Sequence, residues 1–254
     1  TRSRLTVIPV GPRPHHMMAS VRGDRVYVAE FGSNTVGVID TATDTKVATF
    51  TASPNAGART HAVWPSPDGR RIYATNEVTN DIAAIDATTG ELLWNLPVGE
   101  RPSEILVMPD GRTAYVTVRN EDKVKEVDLT APRLTGREAN VGRQPDTMQL
   151  TPDQRTLVVA LRAGTPAQVS FVRLNTRALQ VTRVPVPGTT TGHQWLSRSG
   201  RHTFVATEGD GDAAGVAVID NTTLRAVDHY PYPGGGRPHG VFYDLLPPNY
   251  HYAT

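Results

Sequence analysis

Short runs of β-branched and aromatic residues recur along this chain, each bounded by Gly, Pro, Asp or Thr. Val26 Tyr27 Val28 Ala29, Ile72 Tyr73 Ala74 Thr75 and Ala114 Tyr115 Val116 Thr117 are copies of one run, with weaker copies at 157–160 and 203–206. Apolar positions follow a period of two and Gly, Pro and Thr punctuate the chain about every 8 to 12 residues, so the pattern predicts strands and no amphipathic helix. A turn precedes each of the later four copies: Ser66 Pro67 Asp68 Gly69, Met108 Pro109 Asp110 Gly111, Thr151 Pro152 Asp153 Gln154 and Ser197 Arg198 Ser199 Gly200. Such turns close hairpins. A third run and a polar turn come next, as in Val36 Gly37 Val38 Ile39 Asp40 Thr41 Ala42 Thr43 or 82–89 and 216–223, and then a fourth run such as 46–50 or 91–96.

Four strands per unit define a propeller blade. Markers at the start of each unit, Pro14, Thr60, Pro102, Pro145, Thr191 and Pro238, lie 42 to 47 residues apart, which fits four-stranded blades and is too long for leucine-rich or ankyrin units. The chain is therefore expected to be all-β, a single β-propeller domain over residues 1–254 with six blade positions, seven being the alternative. Residues 239–243 and 250–254 supply two strands of the last blade, and the run from Leu5 to Val10 resembles a fourth strand that completes it and closes the ring.

At Tyr73 Ala74 Thr75 Asn76 and Val38 Ile39 Asp40 Thr41 Ala42 Thr43 the chain resembles the YVTN-repeat propellers, over roughly residues 5 to 245. The fourth unit departs from that pattern with Val158 in place of the aromatic, and the fifth lacks the Pro-Asp-Gly turn. The resemblance implies seven blades more often than six, and relatives that include lactonase-like hydrolases, lyases and surface-layer proteins.

Composition narrows the chemistry. With 26 basic and 25 acidic residues the formal charge is +1, which gives no electrostatic case for nucleic acid as a partner. No cysteine occurs, so disulfides, thiolate metal sites and cysteine nucleophiles are excluded and any metal must use His, carboxylate or carbonyl ligands. No apolar run approaches the roughly 18 residues of a membrane helix, so membrane insertion is not expected. The absence of an initiating Met is compatible with a processed, exported chain, periplasmic or extracellular.

In a blade the start of the first strand lies beside the end of the second. The first or second position after each marker carries His15 and His16, His61, Ser103 and Glu104, Asp146, His193 and His239, which places five of eight histidines in one slot. The second-strand ends supply Glu30, Asn76, Glu77, Arg119, Arg162 and Glu208. These groups are expected to converge on one rim. Neutral imidazoles of His15, His16, His61, His193 and His239 suit a divalent or copper ion, with copper or zinc preferred. Glu77, Glu208 and His193 are the candidates for acid–base work, and Arg119 and Arg162, with Glu30 and Asn76, for ligand binding. The competing reading is that the Pro-His turns bond only to backbone and that the arginines balance Glu77 and Glu208.

Trp64 and Trp195 share a first-strand slot with Met18, Leu106 and Phe242 and are expected in the core, as are Met17 and Met18. Residues 208–212 read as a solvated acidic loop without EF-hand spacing. No Gly-x-Ser-x-Gly elbow is present. Three functions follow: a propeller binding a metal ion and small molecule at its rim, a metal-assisted or acid–base enzyme of lactonase-like or lyase type, and a non-enzymatic scaffold for a protein partner.

Overall fold

The computed structural model describes residues 6–232 and 237–239. Its strands form five four-stranded antiparallel sheets, each ordered as the chain runs. The first blade is β1 (Pro14–Ala19), β2 (Arg25–Glu30), β3 (Thr35–Asp40) and β4 (Thr45–Thr51), and the second β5 (Thr60–Pro65), β6 (Arg71–Asn76), β7 (Asp81–Asp86) and β8 (Leu92–Pro97). The third comprises β9 (Pro102–Val107), β10 (Thr113–Val118), β11 (Lys123–Asp128) and β12 (Arg133–Asn140). The fourth holds β13 (Pro145–Leu150), β14 (Thr156–Leu161), β15 (Ala167–Arg173) and β16 (Gln180–Val186), and the fifth β17 (Thr190–Leu196), β18 (His202–Glu208), β19 (Gly215–Asp220) and β20 (Arg225–Pro231). The fold is a β-propeller, as the repeat predicts. Five blades stand among the described residues. Residues 6–10 carry no strand, so the expected closing strand is not seen where it is described; the strands expected at 239–243 and 250–254, and Leu5, fall outside the described strands and residues.

The chain divides into two compact units, one running to Val116 and including Val127–Leu134, the other holding Thr117–Glu126 and the chain from Thr135. The first has a core of Tyr27, Val36, Val38, Val63, Ile72 and Ile85 with Met18 and Phe50 packed against it. The second buries Val158, Val169, Phe171, Val184, Leu196, Val205 and Ile219. Trp64 is buried, as expected, and Trp195 half-buried; Met17 is exposed, contrary to the core reading, because alternation along β1 turns Met18 inward instead.

The Ile-Asp-x-x-Thr signature has a local cause. Asp40, Asp86 and Asp220 end the third strands and accept hydrogen bonds from the backbone N–H groups two and three residues on, at 2.8 to 2.9 Å. Asp128 does the same in the third blade toward Thr130 and Ala131, closing the turn to the outer strand. Gly90, at φ +74 in the second of these turns, has a further constraint: a Cβ there would lie 2.2 Å from Phe50 Cδ1.

Asp128 also gives a pH signature. The Thr130 hydroxyl, then the Thr130 and Ala131 N–H groups and Arg133, hold its carboxyl well below the ordinary carboxylate range. A folded pKa below the unfolded value means stabilisation that is present above the unfolded pKa of about 3.9 and lost as pH falls through the folded one. Asp128→Asn is therefore expected to melt below the wild type at neutral pH, with the gap closing under increasingly acid conditions. A gap of constant size across that range in thermal unfolding contradicts this assignment.

Candidate functional site

Four first strands begin with a β-bulge. The pairing of β1 with β2 slips between Pro14 and Met17, that of β5 with β6 between Thr60 and Ala62, that of β13 with β14 between Pro145 and Met148, and that of β17 with β18 between Thr191 and Gln194. Bulges interrupt the ladder and re-aim side chains. His15 and His16, His61, Asp146 with Thr147, and Gly192 with His193 occupy them.

In the first unit, His15, His16 and His61 come together. The His15 and His16 rings stack at 4.9 Å, and their centroids lie 4.2 and 4.8 Å from that of His61. One ligand atom from each of the three falls within 4.8 Å of the others. Three nitrogens roughly 2.1 Å from one tetrahedral ion are about 3.4 Å apart, so the rings need to close by up to roughly 1.4 Å to share a metal. His61 is buried, and its Nδ1 lies 2.8 Å from the Ser103 carbonyl, which also accepts from Thr75 Oγ1 at 2.7 Å. A carbonyl only accepts, so Nδ1 carries the proton and Nε2 the lone pair that a cation needs.

The same cluster includes residues that sequence reasoning missed. Phe31 lies 5.3 Å from His15 and packs edge-on to His61 at 5.8 Å. The guanidinium groups of Arg13 and Arg59 sit 5.1 and 5.7 Å from the Phe31 ring centre, in cation–π range. Both arginines hold positive φ, 50° and 58°, just before their first strands. An aromatic one residue past β2 gives no chemical signal in a sequence, and the arginines precede the markers rather than follow them.

The side chains of Glu30 and Asn76 are bonded within the framework. Glu30 Oε1 accepts from Gly11 N at 2.7 Å and Lys46 Nζ at 2.6 Å, and Oε2 from Thr35 Oγ1 at 2.5 Å. Burial alone raises its carboxyl, but the bonds from Lys46, Thr35 and Gly11 and the ammonium charge outweigh burial and leave it below its ordinary value. Asn76 Nδ2 donates to Ala52 O and Asp81 Oδ1, and its Oδ1 accepts from Thr60 Oγ1 at 3.0 Å. Each of these two side chains ends its second strand. The rim slot is one residue later, filled by Phe31, Glu77, Arg119 and Arg162, while in the fifth blade Glu208 is itself the last residue of β18. Glu77 there binds Arg101 Nη2 at 2.8 Å.

In the second unit the predicted groups form a chain of alternating charge. Buried Asp146 takes a hydrogen bond from Arg119 Nη2 on Oδ1 and faces Arg162 Nε at 3.8 Å through Oδ2. The carboxylate that the two arginines clamp is thus the protein's own. Arg162 Nη1 donates to Glu208 Oε1 at 2.9 Å, the Thr191 carbonyl at 3.1 Å and His239 Nδ1 at 3.2 Å. His239 Nδ1 in turn lies 3.7 Å from Glu208 Oε1, and its ring is 4.6 Å from that of His193. The close approach needs Gly192, where a Cβ would stand 2.3 Å from the His239 carbonyl oxygen. Acting on neutral His239, Arg162 fixes Nδ1 as acceptor and Nε2 as the protonated nitrogen.

Blade architecture defines a β-propeller, with histidine and carboxylate side chains gathered at the starts of its first strands. A family model described as "Lactonase, 7-bladed beta-propeller" matches residues 9–195, well over half of the chain, and the protein belongs to that family. Antigen Lp49 of Leptospira interrogans is 25% identical over 167 residues, covering 58% of this chain and 36% of that protein, so the chain spans about a third of this curated relative. Among solved structures, Kuenenia stuttgartiensis hydrazine synthase superposes with a TM-score of 0.76 at 19% identity, over 91% of this chain and 70% of that one. The Pseudomonas aeruginosa periplasmic gluconolactonase PpgL gives 0.73 at 20% identity, over 94% and 76%. A putative 6-phosphogluconolactonase from Bacteroides uniformis gives 0.70 at 18%, over 91% and 75%. At these identities the solved structures share the fold.

Proposed function

We propose that this lactonase-family propeller binds a zinc or copper ion through His15, His16 and His61 and takes up a small molecule at that ion. The observation that carries the reading is the convergence of three imidazoles whose ligand atoms lie within 4.8 Å, one of them oriented by a backbone carbonyl. Three neutral nitrogens leave the ion its full charge and a position open to an oxygen ligand, the arrangement of catalytic rather than structural zinc sites. Action in the periplasm or outside the cell belongs to the same proposal; it is supported by the periplasmic gluconolactonase among the structural relatives, and no helix among the described residues is long and apolar enough to cross a membrane.

Calorimetric titration with zinc and with copper tests it. One ion per chain is expected in the wild type, with affinity lower by on the order of 100-fold or more in His61→Ala and unchanged in His202→Ala, whose half-buried side chain starts β18 outside the cluster. Equal affinity in the wild type and in a folded His61→Ala protein overturns the proposal.

A second reading draws on the other unit. Arg162, Glu208, His239 and His193 suit acid–base chemistry of the lactonase-like or lyase kind, His239 being the group that can exchange a proton and Glu208 the carboxylate beside it. Glu77, held by Arg101, is less suited to that role.

A further inference from the structure

The geometry points to a carboxylate-binding site at Arg13 and Arg59 over Phe31, next to the histidine cluster, that takes the carboxylate of a small organic acid. The inference deepens the proposed function by naming the class of molecule brought to the metal, and it rests on that reading only for the ion's role.

The blades themselves supply the comparison. Arg101 stands just before the first strand of the third blade at φ 57°, and its side chain reaches back to Glu77 in the slot past β6. Arg59 holds the corresponding place before β5 at φ 58° and reaches back to the corresponding slot past β2. That slot contains Phe31, so the guanidinium is kept and its carboxylate is replaced by an aromatic face. Arg13 adds a second guanidinium over the same ring, from its own blade. Both arginines are exposed, and among the described residues neither is paired with a carboxylate.

Each guanidinium lies within 6 Å of the same ring centre, so the two like charges repel, and a divalent cation on His15 and His61 beside that ring would add to the repulsion. A carboxylate from solution relieves both. Planar guanidinium forks match a planar carboxylate bidentately, and the ring beneath holds the forks in place by cation–π contact.

The test follows the arginine side-chain N–H resonances of the isotope-labelled full chain, stripped of metal by a chelator. Sodium lactate is added against sodium chloride of equal ionic strength, with inorganic phosphate as a third arm. Saturable shifts of the Arg13 and Arg59 signals with lactate, absent with chloride, are expected. Affinity should drop about tenfold or more in R13Q/R59Q and stay unchanged in R101Q. Glutamine is tolerated in this backbone conformation, since Gln144 adopts φ 52° at the equivalent point of the fourth blade. Shifts that chloride reproduces, tighter binding of phosphate than of lactate, or lactate binding that survives R13Q/R59Q each overturn the proposal. Because the readout is taken without metal, failure of zinc and copper to bind leaves it standing, and its own failure leaves the histidine site standing.

Discussion

Asp146→Ala is expected to lower the stability of the protein by about 3 kcal/mol, the lower part of the range for breaking a buried ion pair. The carboxylate sits in the bulge that opens β13, buried, between Arg119 and Arg162. Taking it away leaves two partly buried guanidinium groups close together with no charge between them. The arginines retain some contact with water, which keeps the loss near the lower end. Asp146→Asn, which keeps an acceptor but not the charge, should lose less, and Arg162→Gln in the Asp146→Ala background should restore part of the loss by relieving the repulsion. Urea unfolding of the three variants checks this; an Asp146→Ala protein within about 0.5 kcal/mol of the wild type contradicts the clamp.

A loss of similar or larger size, about 3–5 kcal/mol, is expected for Tyr73→Ala. Tyr73 is 1% exposed, pairs across the ladder with Trp64 and packs its ring 5.9 Å from Trp94. Burial pushes its phenol up from the ordinary tyrosine value, as a ring this enclosed should show. Tyr73→Phe, which keeps the packing, should cost far less. Equal losses for the two substitutions mean that the hydroxyl rather than the ring holds the blade together.

Much of this architecture was legible in the sequence, because a repeat states each feature several times. Pro14, Thr60, Pro102 and Pro145, chosen as unit markers, are the first residues of β1, β5, β9 and β13. The Asp of each Ile-Asp turn, the Pro-Asp-Gly hairpins and the aromatic of the second strand recur in the structure where the pattern puts them. The slot opposite the markers was harder to read. Strand side chains alternate, so an error of one residue changes the face: Glu30 and Asn76 end their strands and turn into the framework, while Phe31 and Glu77, one step on, take the slot.

The pairing of groups was harder still. That Arg119 and Arg162 close on Asp146, or that Arg59 reaches Phe31, depends on how neighbouring blades pack, and no spacing within one blade encodes it. The bulges have the same character. His61 faces the Ser103 carbonyl of the next blade because β5 slips by one residue between Thr60 and Ala62, which a two-residue period does not foretell.

The most direct measurement is the metal content of the purified protein after equilibration with zinc or copper and exhaustive dialysis, compared with a His15→Ala, His16→Ala, His61→Ala variant shown by circular dichroism to keep its β-sheet spectrum. One ion per chain in the wild type and none above background in the variant is the predicted result. Metal-free wild type, or equal metal in both proteins, contradicts the histidine site and shifts attention to Arg162, Glu208 and His239.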